Sequence, residues 1–132
     1  MLQLSKKVEY GLIALRHMAM YPQVYTAKEL ATKYDISYEL LSKILQKLTK
    51  AGIVTSLQGM RGGYMLAQKP NEVQVGRVID VIEDEKATIA ECYAEGSDNC
   101  SLFDACTIRR PLEKVQQNLN SLLEKTTLEQ II

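Results

Sequence analysis

Between residues 26 and 67 the chain places helix starts, a turn and a glycine-rich hairpin in an order that leaves few folds open. Thr26 and Glu29 form a T-x-x-E capping box, so a helix begins there and buries Ala27, Leu30, Ala31 and Tyr34. It runs only about two turns, because the short turn Asp35, Ile36, Ser37 leads into a new apolar period. That period, Leu41, Ile44, Leu45 and Leu48, predicts a helix reaching about Ala51 and ended by Gly52. A helix-turn-helix results. Two strand-like runs follow, Ile53 to Leu57 and Gly63 to Ala67. The glycines between them permit the positive φ of a hairpin tip, which projects as a wing carrying Arg61.

The flanking segments complete a mainly α chain with a small β-hairpin wing. Ser5 can cap a first helix with Val8, Leu12, Leu15 and Ala19 inward, and Pro22 supports its end near Tyr21. After a loop at Pro70 and Asn71, Val75, Val78, Ile79 and Ile82 share one face of a fourth helix that stops near Glu83, Asp84 and Glu85. Gly96, Ser97, Asp98 and Asn99 favour a loop. Pro111 stands where a first helical position would be and opens a long helix with Leu112, Val115, Leu119 and Leu122 spaced three, four and three. A stripe that narrow is a coiled-coil seam, and the same helix of a second copy is its simplest partner; packing against the chain's own helices is the other reading. Thr127 and Gln130 predict a last capped turn before Ile131 and Ile132. The expected architecture is a winged helix-turn-helix over residues 1–70, then a sensing and dimerisation region over 71–132 ending in a long C-terminal dimerisation helix.

The whole chain of 132 residues has no net charge, yet the charge is divided. Residues 1–70 hold ten Lys and Arg against four Asp and Glu, a net +6; residues 71–132 hold six against twelve, a net −6. A basic module joined to an acidic one suits a DNA-contacting head with a separate sensing or pairing region. No apolar run approaches the roughly 18 residues of a membrane span, and the first residues lack the apolar core of a signal peptide, so a cytoplasmic location without membrane contact is expected. No phosphate loop, nucleophile–base pair or substrate-pocket motif occurs, which argues against an enzyme.

Opposite its apolar stripe the third helix displays Glu39, Ser42, Lys43, Gln46, Lys47 and Lys50. Lys43 and Gln46 can reach base edges, since lysine pairs with guanine acceptors and glutamine offers adenine a donor and an acceptor together. Lys47 and Lys50 suit phosphates, and Ser37 and Tyr38 can meet the backbone at the helix start. Arg61, followed by Gly62 and Gly63, would enter a narrow minor groove or grip phosphate.

Cys92, Cys100 and Cys106 lie within 15 residues of one another and are the only cysteines. An odd, clustered set points to a metal, cluster or redox site rather than a disulfide framework. A thiol switch, a zinc site, or a cofactor-free chain acting through a partner protein remain alternatives.

Four stretches give the sequence a family resemblance over essentially its whole length. They are L-S-x-x-x-E-Y-G-L at Leu4 to Leu12, L-x-K-A-G-I-V at Leu48 to Val54, R-G-G-Y-x-L at Arg61 to Leu66, and three cysteines before a pairing helix. In these it resembles the IscR/NsrR family of bacterial iron-sulfur winged-helix regulators. The resemblance implies homodimers on palindromic operators in double-stranded DNA, with a 2Fe-2S or 4Fe-4S cluster on the three cysteines controlling DNA affinity. A cluster ordinarily needs four protein ligands. The C-x7-C-x5-C spacing has a longer first gap than in IscR-type members, and Arg109 stands where their histidine ligand would lie. Glu9 instead matches the acidic ligand of NsrR-like members, supplied from the other subunit's first helix; a first-turn glutamate favouring the helix dipole is the alternative. His17, the only histidine, lies away from that motif and reads as structural or surface-exposed.

Overall fold

In the computed structural model residues 3–84 and 107–132 are described. The helices are α1 (Lys6–Met20), α2 (Ala27–Tyr34), α3 (Tyr38–Lys50), α4 (Val75–Glu83) and α5 (Arg109–Lys125). Strands β1 (Val54–Leu57) and β2 (Gly63–Leu66) pair antiparallel, with Val54 opposite Leu66 and Leu57 opposite Gly63. Single 3-10 turns occupy Pro70–Glu72 and Leu128–Ile131. The mainly α architecture with a hairpin wing and a long C-terminal helix is the one expected.

Side-chain caps set three of the helix starts. Ser5 accepts from the Val8 N–H at 3.3 Å, Thr26 from Glu29 at 3.0 Å, and Ser37 from Leu40 at 3.4 Å. Each satisfies one amide that the helix itself leaves without an acceptor. Asp35, left-handed at φ 53°, ends α2 and turns the chain into α3.

The apolar faces meet in one core. Leu41, Ile44, Leu45 and Leu48 of α3 are buried together with Leu15 and Met18 of α1, Leu30 of α2, Ile82 of α4 and Leu128 near the C-terminus. On α1 the buried stripe is Val8, Gly11, Ala14, Leu15, His17 and Met18, so the expected Leu12 and Ala19 sit half-buried at its margin. The stripe is centred on Gly11 because α4 passes there: a Cβ at Gly11 would run into the Ile82 side chain. Tyr34 corrects the expectation for α2. It is 37% exposed rather than inward, because it sits at the rim of the core, with its hydroxyl 2.7 Å from His17 Nδ1 and its ring edge-on to that histidine.

The wing is stitched to the body by a backbone bridge. Tyr25 donates to the Tyr64 carbonyl at 2.9 Å, and Tyr64 donates to the Tyr25 carbonyl at 2.7 Å. Gly63 must be glycine for this: its φ is +154°, and a Cβ would stand 2.5 Å from the Tyr25 oxygen.

Helix α5 begins at Arg109, so Pro111 is its third residue rather than its first. It still lies in the first turn, where amides have no intrahelical acceptor and proline forfeits no bond. At the far end Val75 donates to the Thr126 carbonyl at 2.9 Å and Leu128 to that of Val73 at 2.8 Å. The Thr127 N–H finds Gln130 Oε1 at 2.9 Å, which forms the predicted final capped turn. This ties the C-terminus to the segment before α4. The α5 stripe is different: Leu112 and Leu119 are half-buried, while Val115 is 49% and Leu122 62% exposed. Among the described residues no helix is long and apolar enough to cross a membrane.

Candidate nucleic-acid interface

Helix α3 turns its buried stripe to the core, and the opposite side is left to solvent. With about 3.6 residues per turn, Glu39, Lys43, Gln46 and Lys50 fall together opposite Leu41, Ile44, Leu45 and Leu48. All four are exposed, as are Ser37 and Tyr38 at the helix start. Three cationic or amide side chains beside one carboxylate give this face both base-reading and phosphate-holding groups. Ser42 and Lys47 lie at its two margins and are half-buried. Lys47 is turned aside, donating to Asp84 Oδ2 at 2.7 Å and to the Ile82 carbonyl at 3.1 Å.

At the wing tip Arg61 is exposed beside the fully exposed Met60. The Gly62 N–H donates to the Gly59 carbonyl at 3.0 Å, closing the turn, and a Cβ at Gly62 would collide with the Leu57 carbonyl. Gly62 and Gly63 therefore present Arg61 through backbone geometry, as their spacing suggested.

The exposed side of α2 was not read from the sequence as part of this surface. Lys28, Thr32 and Asp35 line a shallow groove with Tyr38, next to the start of α3. The signal was present in the capped helix, whose burial of Ala27, Leu30 and Ala31 leaves Lys28 and Thr32 outward.

His17 is structural. It is buried between α1 and α2, with Nδ1 2.7 Å from the Tyr34 hydroxyl and its ring edge-on to Tyr25 at 4.8 Å. Burial first, and the charge of Lys33 second, hold its pKa below the ordinary histidine value.

Glu9 lies in the first turn of α1, where its carboxylate pairs with Lys6 at 3.0 Å and remains 43% exposed. The contact raises the Lys6 pKa, through the hydrogen bond first and the charge second. Cys92, Cys100 and Cys106 lie outside the described residues, and of Arg109 only the helical backbone is described. Among the described residues no three of His, Cys, Asp or Glu gather as metal ligands.

A capped short helix, a three-residue turn, a polar-faced second helix and an arginine-tipped hairpin anchored by glycines define a winged-helix DNA-binding protein. Residues 4–132 match the Rrf2 family, described as iron-dependent transcriptional regulators, and the chain belongs to that family. Its relatives include the HTH-type transcriptional regulator NsrR of Halalkalibacterium halodurans, 30% identical over 99% of this chain and 90% of the relative. Protein aau3 of Rhizobium meliloti is 31% identical over 99% of this chain and 85% of its own. Among solved structures, T. potens IscR is similar at a TM-score of 0.74 and 27% identity, covering 98% of this chain and 85% of that one. CymR (YrzC), the global cysteine regulator of B. subtilis, is similar at 0.73 and 25% identity, covering 99% and 96%. The chain is a transcriptional regulator and not an enzyme.

Proposed function

We propose that two copies pair through α5 and read a palindromic duplex site with two α3 helices and two wings. In this reading residues 1–70 contact DNA and residues 71–132 sense and pair. The observation that carries it is the contrast on the surface: a polar, cationic face on α3 beside an apolar stripe on α5 whose Val115 and Leu122 stand in solvent. Two linked half-site readers gain affinity that separate monomers lack.

The signal is read by an iron-sulfur cluster on Cys92, Cys100 and Cys106, with Glu9 as the fourth ligand reached across the dimer. Clustered thiolates are the ordinary donors for such a group, and a family described as iron-dependent supports iron over a bare thiol switch. Glu9 fits as a ligand, because its carboxylate is held by a surface lysine and can turn to a metal without uncovering core. Such a cluster, when bound, would supply a centre reactive toward oxidants and nitric oxide. In this reading the protein's own part is to supply three thiolates from Cys92, Cys100 and Cys106 and one carboxylate from Glu9 in the first turn of α1.

Similarity to a cysteine regulator favours one other reading, in which the same thiols act without iron. Iron and sulfide analysis of anaerobically purified protein separates the two. The cluster reading predicts brown protein with both elements present, lost when any one cysteine becomes alanine. Colourless protein without sulfide, still binding DNA, would leave the thiol or zinc reading.

A further inference from the structure

The side chain of Lys47 leaves the polar face of α3 for the end of α4. The Ile82 carbonyl that it reaches belongs to the last turn of that helix, where carbonyls lack intrahelical donors. Its other partner, Asp84, is left-handed at φ 60° and closes the helix. The contact is returned, since Arg77 of α4 donates from Nη2 to the Ala51 carbonyl at the end of α3, at 3.2 Å. Each helix lends a cation to the other's carboxyl end, where the helix dipole favours positive charge. Ser5, the cap of α1, meets the same end of α4 by donating to Glu83.

We propose that Lys47 is a positioning residue that fixes the recognition helix against α4 through Asp84 and Ile82, and is not a phosphate contact. This rests on α3 being the DNA-reading helix. An ammonium 2.7 Å from a carboxylate already has its counter-charge, so it adds little to the counterions that DNA binding releases. Its place at the margin of the α3 face lets it brace the helix while Lys43, Gln46 and Lys50 stay free for DNA. A small change in how α3 sits would misplace those side chains at base edges and matter much less on phosphates.

The test uses the full-length wild type, Lys47→Ala, Asp84→Asn and the double variant. Each is titrated, over a range of salt, with a duplex selected by the wild type from a random pool and with an unselected duplex. Thermal melting verifies that each variant is folded, and Lys47→Gln replaces Lys47→Ala if the latter is not. The proposal predicts that both single variants lose about three- to tenfold on the selected duplex and little on the unselected one. The double variant is no weaker than the poorer single, and the salt slope is unchanged. The proposal is overturned if Lys47→Ala weakens both duplexes alike and lowers the salt slope by about one, while Asp84→Asn binds as tightly as the wild type or more tightly. Unchanged binding in both variants overturns it too. A wild type that selects no duplex refutes the DNA-reading role of α3 instead, so the two failures are distinct.

Discussion

Helices α3 and α5 carry the same kind of sequence signal and meet different fates. Both are amphipathic, with apolar residues three and four apart. The chain covers the α3 stripe completely: Leu41, Leu45 and Leu48 are 0% exposed and Ile44 2%. On α5 it covers Leu112 and Leu119 by half and leaves Val115 and Leu122 out, although the helix end is hydrogen-bonded to the segment before α4. A stripe that the chain buries itself is core, and a stripe on an anchored helix that it leaves exposed is a surface for something else. In the proposed reading, with one reading helix per chain, a second copy would supply both the cover and the second half-site.

The largest expected effect falls on the core. Leu45→Ala should destabilise the protein by about 2–5 kcal/mol in chemical denaturation, because it opens a cavity where no solvent reached. Leu122→Asp should leave the melting of the isolated chain nearly unchanged, since the side chain is already in water, yet give monomers and weaken operator binding by about a hundredfold or more. If it cost as much stability as Leu45→Ala, the α5 stripe would be core and the contrast would fail.

Those two fates could not be told apart from spacing alone, because period reports which residues share a face and not what covers it. The local devices were legible. Ser5, Thr26 and the pair Thr127 and Gln130 act on amides within three residues, so their chemistry is complete within the sequence window. What was missed depends on distant chain. Tyr34 fits the inward period of α2, but it stays at the rim, where its hydroxyl and ring edge meet His17 of α1. Lys47 looks like any cation on a polar helix face until the end of α4 is placed beside it. Pro111 marks a first turn without saying which of its positions it takes, and so the start of α5 was set two residues late. The hairpin glycines pointed correctly to a wing. The proposed thiol ligands, Cys92, Cys100 and Cys106, lie outside the described residues.

A smaller effect sharpens the reading of α3. Gln46 is exposed near the middle of its polar face, and Gln46→Ala should cost about 1–3 kcal/mol on the selected duplex and little on random DNA, read by competition titration. Equal losses on both would make Gln46 a non-specific contact and weaken the case for α3 as the reading helix.

The smallest effect lies in the head alone. His17 has its pKa lowered by burial, so unfolded chain takes up its proton near about pH 6.5 while folded chain still resists. Its contribution to stability is full above that pH and is lost as pH falls toward the folded value. Melting at pH 7 and pH 5 should therefore show a larger drop for the wild type than for His17→Gln. An equal or larger drop in the variant would mean that His17 is not held neutral by the fold.

The size of the particle in solution, with and without a changed α5 stripe, is the direct measure of pairing through α5. Sedimentation equilibrium of the wild type at micromolar concentration, run beside Leu122→Asp, should give twice the 14.9 kDa chain mass for the first and the single chain mass for the second. In the same samples only the wild type should hold the selected duplex tightly. A wild type that sediments at 14.9 kDa and still binds that duplex at full strength would contradict the claim that α5 pairs two reading heads.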